Sequence, residues 1–385
     1  MTEADMSHDE TLVGSRIQLH RVISDKDFQL EEYTLQLFKM NVMECLHPYL
    51  LIASGVDVLI YLFNKDNTYK YLHRVSFSDE INFMTKSDGK VFLVGDSGIT
   101  YMMIKMSEMA HSDSLYRGDV LSQLGLKLIK LYQNQNESTW SISSHSGLFA
   151  VGDNSHIIKI HLPDCTETKP FELVGHKHNV PCLNMYARDR LLSCSIDCTC
   201  RIWDLNTRRQ LHSRKLDDWV WVGHHLEGRH FKTVGNAPET PEEDIFLVAT
   251  KKHIYLLNHN LETILFETKF SPGRATRLLP SVMISSLDRI SICKVLPKYN
   301  LVLLAKQNDN KVILFRMLCV DGKYGLVPLS AIPALSLQNQ CVLSVAVDEE
   351  YDRIYIACLD KELFVYDLRF LLSDELGPSL EEVLV

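Results

Sequence analysis

Between residues 191 and 205, in LLSCSIDCTCRIWDL, the thiols of Cys194, Cys198 and Cys200 stand among Ser193, Ser195 and Asp197. That inventory could hold a soft metal ion through thiolates, or supply a nucleophile with a carboxylate close by. A cluster of imidazoles at His224, His225 and His230 raises the metal question a second time. In GDSG at 95–98, Ser97 lies between small and acidic residues, as an activated serine would.

Spacing argues against each reading. A zinc site calls for CxxC pairs or an added His cluster at ligand spacing, whereas Cys198 and Cys200 are one residue apart with no second pair. By the two-residue period of a strand, Ser193 and Ser195 share one face, Asp197 makes the turn and Cys194 points to the opposite, packed face. Buried, reduced core cysteines are therefore expected. The three histidines have no carboxylate or thiol partner at matching spacing. GDSG copies the tetrapeptide around a trypsin-like nucleophile, but Ile99 replaces the next glycine and the same place in neighbouring units holds turn residues. No catalytic, metal or cofactor site is expected.

The elements that carry these residues recur along the chain. An alternating strand, a turn, a short apolar strand ending in small residues, an Asp or Asn turn and another strand are read seven times. The copies centre on 50–63, 90–105, 147–162, 191–205, 244–258, 301–315 and 353–368. Helical spacing is nearly absent, so the reading is all-β, a seven-bladed β-propeller. Dividing 385 residues by seven leaves 55 per unit, above the roughly 40–45 of a propeller blade. The surplus is assigned to insertions at 106–136, 233–243 and 263–287, although 120–133 could itself be an outer strand or short helix. Blades are expected near 42–70, 78–105, 137–166, 175–210, 217–260, 290–316 and 341–369, within one propeller spanning 15–370. Tails are expected at 1–14 and 371–385. Residues 15–24 are expected to pair with the last blade and cover its edge.

Composition bounds the function. The chain is 46% hydrophobic and 23% charged, with a net charge of −9. Proteins that grip phosphate backbones usually carry a basic face, so direct nucleic-acid binding is disfavoured. The basic cluster Arg208, Arg209, Arg214 and Lys215 reads as a solvated turn and outer strand. The most apolar run, 49–63, is broken by Gly55 and Asp57, so no membrane association is expected. An acidic, polar start lacks the pattern of a secretory signal. Ten cysteines without a repeating spacing fit a reducing compartment, nuclear or cytoplasmic.

The fourth unit resembles the WD-repeat family. It has Gly175-His176, an apolar alternating strand at 179–186, and the serine, aspartate and Trp203-Asp204 pattern of the stretch quoted above. In that family a hydrogen-bonded chain of Asp, His, Ser or Thr, and Trp ties the blade together. The resemblance puts Asp197, His176, Ser193 or Ser195, and Trp203 in those roles. A buried indole N–H, imidazole and carboxylate each need such partners once removed from water.

Residues 138–162, 175–183 and DDWVWVGHH at 217–225 resemble the fungal WD-repeat regulators of ribonucleotide reductase transcription. Trp140, Asn154, Ser155, His156, Gly175, His176, Asn179, Val180 and Pro181 carry that match. It implies an adaptor in genome maintenance or transcriptional control. Residues 353–369 resemble the box by which WD-repeat receptors dock on the propeller adaptor of cullin-RING ubiquitin ligases, with Tyr366, Asp367 and Arg369 at its end. Trp219 and Trp221, two indoles on one strand face, are either core or, if exposed, a partner-binding patch. The expectation is a non-enzymatic scaffold for protein partners. Its competitor is a hydrolase using a Ser/His/Asp site on a propeller face.

Overall fold

A computed structural model describes residues 19–23, 41–66, 68–108, 120–133, 137–162, 169–234, 243–269, 289–306, 311–333, 342–358 and 363–368. The tails at 1–14 and 371–385, and Arg369, lie outside these residues. So does most of the insertion expected at 263–287.

The fold is an all-β, seven-bladed β-propeller built from seven sheets. Strand β1 (Leu19–Ile23) opens the described chain. The first sheet is β2 (Met43–Leu46), β3 (Tyr49–Ser54), β4 (Asp57–Phe63) and β5 (Tyr69–Ser76). The second is β6 (Ile81–Ser87), β7 (Lys90–Gly95), β8 (Ile99–Lys105) and β9 (Leu126–Gln133). The third is β10 (Thr139–His145), β11 (Leu148–Asp153), β12 (Ile158–His161) and β13 (Phe171–Leu173). The fourth is β14 (Cys182–Ala187), β15 (Arg190–Cys194), β16 (Thr199–Asp204) and β17 (Arg209–Lys215). In the fifth, β18 (Val220–Glu227) is followed in the sheet by β20 (Asp244–Thr250), β21 (His253–Leu257) and β22 (Ile264–Lys269).

The interposed β19 (Lys232–Val234) joins the sixth sheet instead. It pairs in parallel with β25 (Lys311–Val320), which also pairs β24 (Leu301–Lys306) and β26 (Lys323–Pro333), while β23 (Ile290–Leu296) pairs β24. The seventh sheet is β27 (Val342–Asp348), β28 (Arg353–Cys358) and β29 (Leu363–Asp367), with β1 added antiparallel to β29. Part of each expected insertion is therefore strand: β9 is the outer strand that 120–133 allowed for, whereas β19 and β22 lie in stretches read as insertion.

Two compact units divide the chain, residues 31–225 and residues 1–30 with 226–385. In both, the second strand of each sheet is a continuous apolar run, because it is covered on two faces. β7, β11, β15 and β24 are buried along most or all of their length. Outer strands alternate toward solvent, as β17 and β22 do. In the unit 31–225, Val42, Leu51, Ile60, Met84, Leu93 and Met103 form one core cluster, and Ala150, Ile160, Met185, Leu191 and Trp203 another. In the second unit, Leu301, Leu303, Ile354, Ile356, Phe364 and Tyr366 pack together.

Small polar residues on the first strands tie neighbouring sheets of the unit 31–225. Asn82 donates to the Thr139 carbonyl at 3.2 Å, Ser141 to the Val180 carbonyl at 2.6 Å, and Ser143 Oγ accepts the Met185 N–H at 2.8 Å. A larger residue would deny these approaches: a Cβ at Gly152 would sit 2.5 Å from Ser141 Oγ and 2.8 Å from the Val180 oxygen.

Pairing of Leu19–Ile23 with Leu363–Tyr366 covers the edge of β29, and bare edges recruit other strands. A chain lacking residues 1–24 is expected to melt at a lower temperature and to elute partly as larger species in size-exclusion chromatography. Unchanged melting with a single monomeric peak would contradict this role for β1.

Candidate functional site

The fourth sheet brings four sequence-distant side chains into one line. Trp203, on β16, lies opposite Leu191 on β15 and is 2% exposed. Its Nε1–H donates to Ser193 Oγ at 2.8 Å. Ser193 Oγ lies 2.7 Å from His176 Nε2, and His176 Nδ1 lies 2.9 Å from Asp197 Oδ2. One proton order satisfies every group: indole N–H to hydroxyl oxygen, hydroxyl to a neutral imidazole Nε2, and Nδ1–H to carboxylate.

The electrostatics agree with that order. Burial lowers the His176 pKa and outweighs the opposing pull of Asp197, which keeps the ring neutral. Burial works against the Asp197 carboxylate, but hydrogen bonds from His176, Thr199 and the Lys177 N–H outweigh it and hold the acid well below its usual range. Those bonds are 2.9 Å from the Lys177 N–H, 2.9 Å from the Thr199 N–H and 2.6 Å from its hydroxyl, and Arg201 lies 3.6 Å away. Gly175 is needed beside this line, since a Cβ there would meet Arg201 Nη1 at 2.5 Å and Trp203 at 3.0 Å.

Ser193 takes the relay position. Ser195 instead bonds the His178 and Asn179 carbonyls at 3.1 and 2.9 Å and accepts the Asp197 N–H at 3.1 Å. It thereby fixes the segment before β14 against the turn between β15 and β16. The Ile196 N–H adds a bond to the Asn179 carbonyl, and the Val220 N–H one to the Ser195 carbonyl. Asn154 Oδ1 accepts both Trp140 Nε1–H at 2.9 Å and Asn179 Nδ2–H at 2.8 Å, and the His156 and His178 rings stack 5.4 Å apart. Four turns of the unit 31–225 are thus laced side by side. Asn154, Lys177, His178 and Trp219 are exposed along them. The sequence offered Trp140, Asn154 and Asn179 only as points of resemblance; no spacing rule shows that one amide joins them.

The remaining candidates divide sharply. Trp219 precedes β18 and is 45% exposed, whereas Trp221 within it is 7% exposed; their rings meet edge to face at 6.1 Å. Only Trp219 can meet a partner. Tyr366 and Asp367 are buried, the first in the core and the second opposite buried Arg353, so neither is available for docking in the folded protein. Ser97 stands in a turn whose N–H is held by Asp79 Oδ2 at 2.6 Å. His225 stacks on Tyr186, and His230 Nδ1 accepts the Glu227 N–H. Among the described residues no group of three or more His, Cys, Asp or Glu is placed to hold a metal ion.

The third sheet shows what the relay replaces. By register His161, opposite Phe149, stands where Trp203 does, and Val151 stands in place of Ser193. His161 is wedged between Tyr132 and Phe149, its Nε2 buried without a hydrogen-bond partner.

Residues 167–204 match the family model of the WD domain, G-beta repeat. That stretch, which runs from β13 to the end of β16 and carries the whole line from His176 to Trp203, is similar to a WD repeat. A WD40 repeat-containing protein of Dictyostelium discoideum is 43% identical over 102 residues, 25% of this chain; the match spans 15% of that relative's length. A chain of the mitotic checkpoint complex superposes with a TM-score of 0.60 at 15% identity, covering 91% of this chain and 95% of that one. The WD40 propeller domain of Doa1 gives 0.58 at 12% identity, covering 91% and 96%. At such identities the two structures speak for the fold alone.

Two outcomes are expected, one from the fourth sheet and one from the third. Trp203→Ala should cost about 3–5 kcal/mol in denaturant unfolding, and a change within about 0.5 kcal/mol would mean the indole is not a core element. Acid should also weaken the fold. The unfolded chain protonates histidine near 6.5, whereas burial, then Lys159, pushes His161 down to about 4. Stability from this group is whole above 6.5 and is lost as pH falls toward 4, by roughly 3 kcal/mol. His161→Phe should flatten that part of the melting-temperature profile; an unchanged slope would contradict the assignment.

Proposed function

We propose that the protein is a non-enzymatic WD-repeat scaffold that binds protein partners along the laced turns of the unit 31–225. The observation that carries this reading is Trp219: an exposed indole held in place by edge-to-face contact with buried Trp221. A large aromatic surface already ordered before binding costs little entropy to use, and tryptophan is prominent among interface hot spots. Along the same laced turns, Asn154, Lys177 and His178 are exposed and would supply the polar part of the interface.

The hydrolase reading has a superficially strong case. Asp197, His176 and Ser193 reproduce the connectivity of a catalytic triad, at 2.9 and 2.7 Å. What argues against chemistry is saturation and burial. Ser193 is 0% exposed and its oxygen already accepts the Trp203 indole N–H. A nucleophile must present a free lone pair to a substrate beside an oxyanion site, and this one faces the interior of its sheet.

The finer roles follow as part of the proposal. A place in transcriptional control or genome maintenance rests on Trp140, Asn154, Ser155, His156 and Asn179, the residues of the regulator resemblance that here gather in the laced turns. Docking on a cullin adaptor would rest on Arg369 alone, because Tyr366 and Asp367 are internal. We favour the Trp219 surface for partner binding, in a reducing nuclear or cytoplasmic setting suited to free thiols.

Affinity purification with mass spectrometry, comparing wild type with Trp219→Ala, tests the reading. Loss of a hot-spot residue costs about 2 kcal/mol or more, so partner recovery should fall roughly thirtyfold at unchanged melting temperature. Equal recovery would remove Trp219 from the interface. Broad serine-hydrolase probes should leave the protein unlabelled; labelling abolished by Ser97→Ala or Ser193→Ala would overturn the scaffold reading.

A further inference from the structure

The cysteines of the fourth sheet acquire a partner that their own stretch does not contain. Cys182 on β14 stands directly opposite Cys194 on β15, which in turn stands opposite Cys200 on β16. Directly opposed residues share a face of the sheet, so the three thiols form a row. The Cys182 and Cys194 side chains therefore face each other across the strand pair. Gly223, from β18, closes over both: its N–H and its carbonyl each lie 3.3 Å from Cys182 Sγ, and a Cβ at that position would collide with Cys194 Sγ. Two sulfurs are therefore pressed together under one glycine. Cys200 is engaged elsewhere, its Sγ directed to the Arg214 carbonyl at 3.9 Å.

The backbone spacing suits a covalent bond. Opposed residues of an antiparallel pair have Cα atoms about 4.5–5.5 Å apart, within the span of about 4.4–6.8 Å that disulfides bridge. The two thiols also differ in ways that order a reaction. Cys182 is partly exposed and Cys194 is 0% exposed. The neighbouring Cys194 thiol lowers the Cys182 pKa despite opposing burial, while burial, then Cys182 itself, raises that of Cys194. Attack by the more acidic thiol, on the residue that is partly exposed, and resolution by the thiol of the fully buried residue is the expected sequence.

We propose that Cys182 and Cys194 form a two-thiol oxidation site at which a peroxide produces an intramolecular disulfide. The Cys182 sulfur attacks one peroxide oxygen and the O–O bond breaks, leaving a sulfenic acid on Cys182 and releasing one water. The Cys194 sulfur then displaces hydroxide from that sulfenic acid; the S–S bond forms, and the hydroxide leaves as a second water with the Cys194 proton. Two thiols lose two electrons and two protons, and one hydrogen peroxide becomes two waters. The product staples β14 to β15 one residue before Ser195, the hydroxyl that holds the Asn179 segment.

Peptide mapping of the full chain after hydrogen peroxide treatment, with free thiols alkylated in denaturant without reductant, reads this directly. The expected product links the peptides of Cys182 and Cys194 and is lighter by two hydrogens. Cys194→Ala should leave a Cys182 sulfenic acid that dimedone traps, and Cys182→Ala should slow Cys194 modification roughly tenfold or more. Should either variant fail to fold, the wild-type map still decides. Both thiols remaining alkylatable while partly exposed Cys198 is oxidised would overturn the proposal, as would oxidation of Cys182 to sulfinic acid without a link, or a link from Cys194 to Cys200.

Discussion

A buried indole N–H must find an acceptor, and in this protein that need organises a whole sheet. Trp203 donates to Ser193, Ser193 to His176, and His176 to Asp197, each link 2.7–2.9 Å long. Leaving any one donor or acceptor unpaired in the interior costs about 1–3 kcal/mol. Because Asp197 also collects the Lys177 and Thr199 N–H groups, the relay's outer end sets the conformation of the turn between β15 and β16. Ser195 and Ile196 then bind the Asn179 segment, and Asn179 binds Asn154. The exposed turns are thus positioned from the core outward.

The same relay shows how a catalytic constellation and a structural one can share bond lengths yet differ in use. A triad needs its serine free on one side and its imidazole free to gain and lose a proton. Here the indole occupies the hydroxyl oxygen, and burial disfavours the imidazolium. The ring is held in one tautomer between a hydroxyl and a carboxylate. Comparison with the third sheet supports this assignment, since His161 and Val151 occupy the Trp203 and Ser193 registers there and the sheet still forms. Apolar continuity of the second strands makes the blades; the relay strengthens one of them and fixes its turns.

Legibility in the sequence followed the physics. Apolar strands with small residues and turn signals were readable in all seven units because burial on two faces demands them, as LVLLAK at β24 shows. The relay was readable because one unit keeps the full Asp, His, Ser and Trp set. Outer strands such as β22, ILFETK, were read as insertion because a strand packed on one side carries a weak alternation easily confused with a loop. β19 could not be foreseen, since its parallel pairing with β25 depends on contacts far along the chain. Tyr366 and Asp367 matched a docking pattern in composition, while their burial is a property of the neighbouring β28. Cys182 passed unremarked for a similar reason: strand register, invisible along the sequence, sets it opposite Cys194.

The central claim is that Trp203 and Ser193 act as one cooperative structural unit. A double-mutant cycle in denaturant unfolding with Trp203→Phe, Ser193→Ala and the double variant measures that directly. Phe keeps the apolar bulk while deleting the indole N–H, and Ala deletes the acceptor. Coupling of about 0.5–3 kcal/mol, with the double variant less destabilised than the sum of the singles, is the result the account requires. Additivity within about 0.3–0.5 kcal/mol would show that the two groups contribute independently, and the relay would cease to explain the order of the sheet.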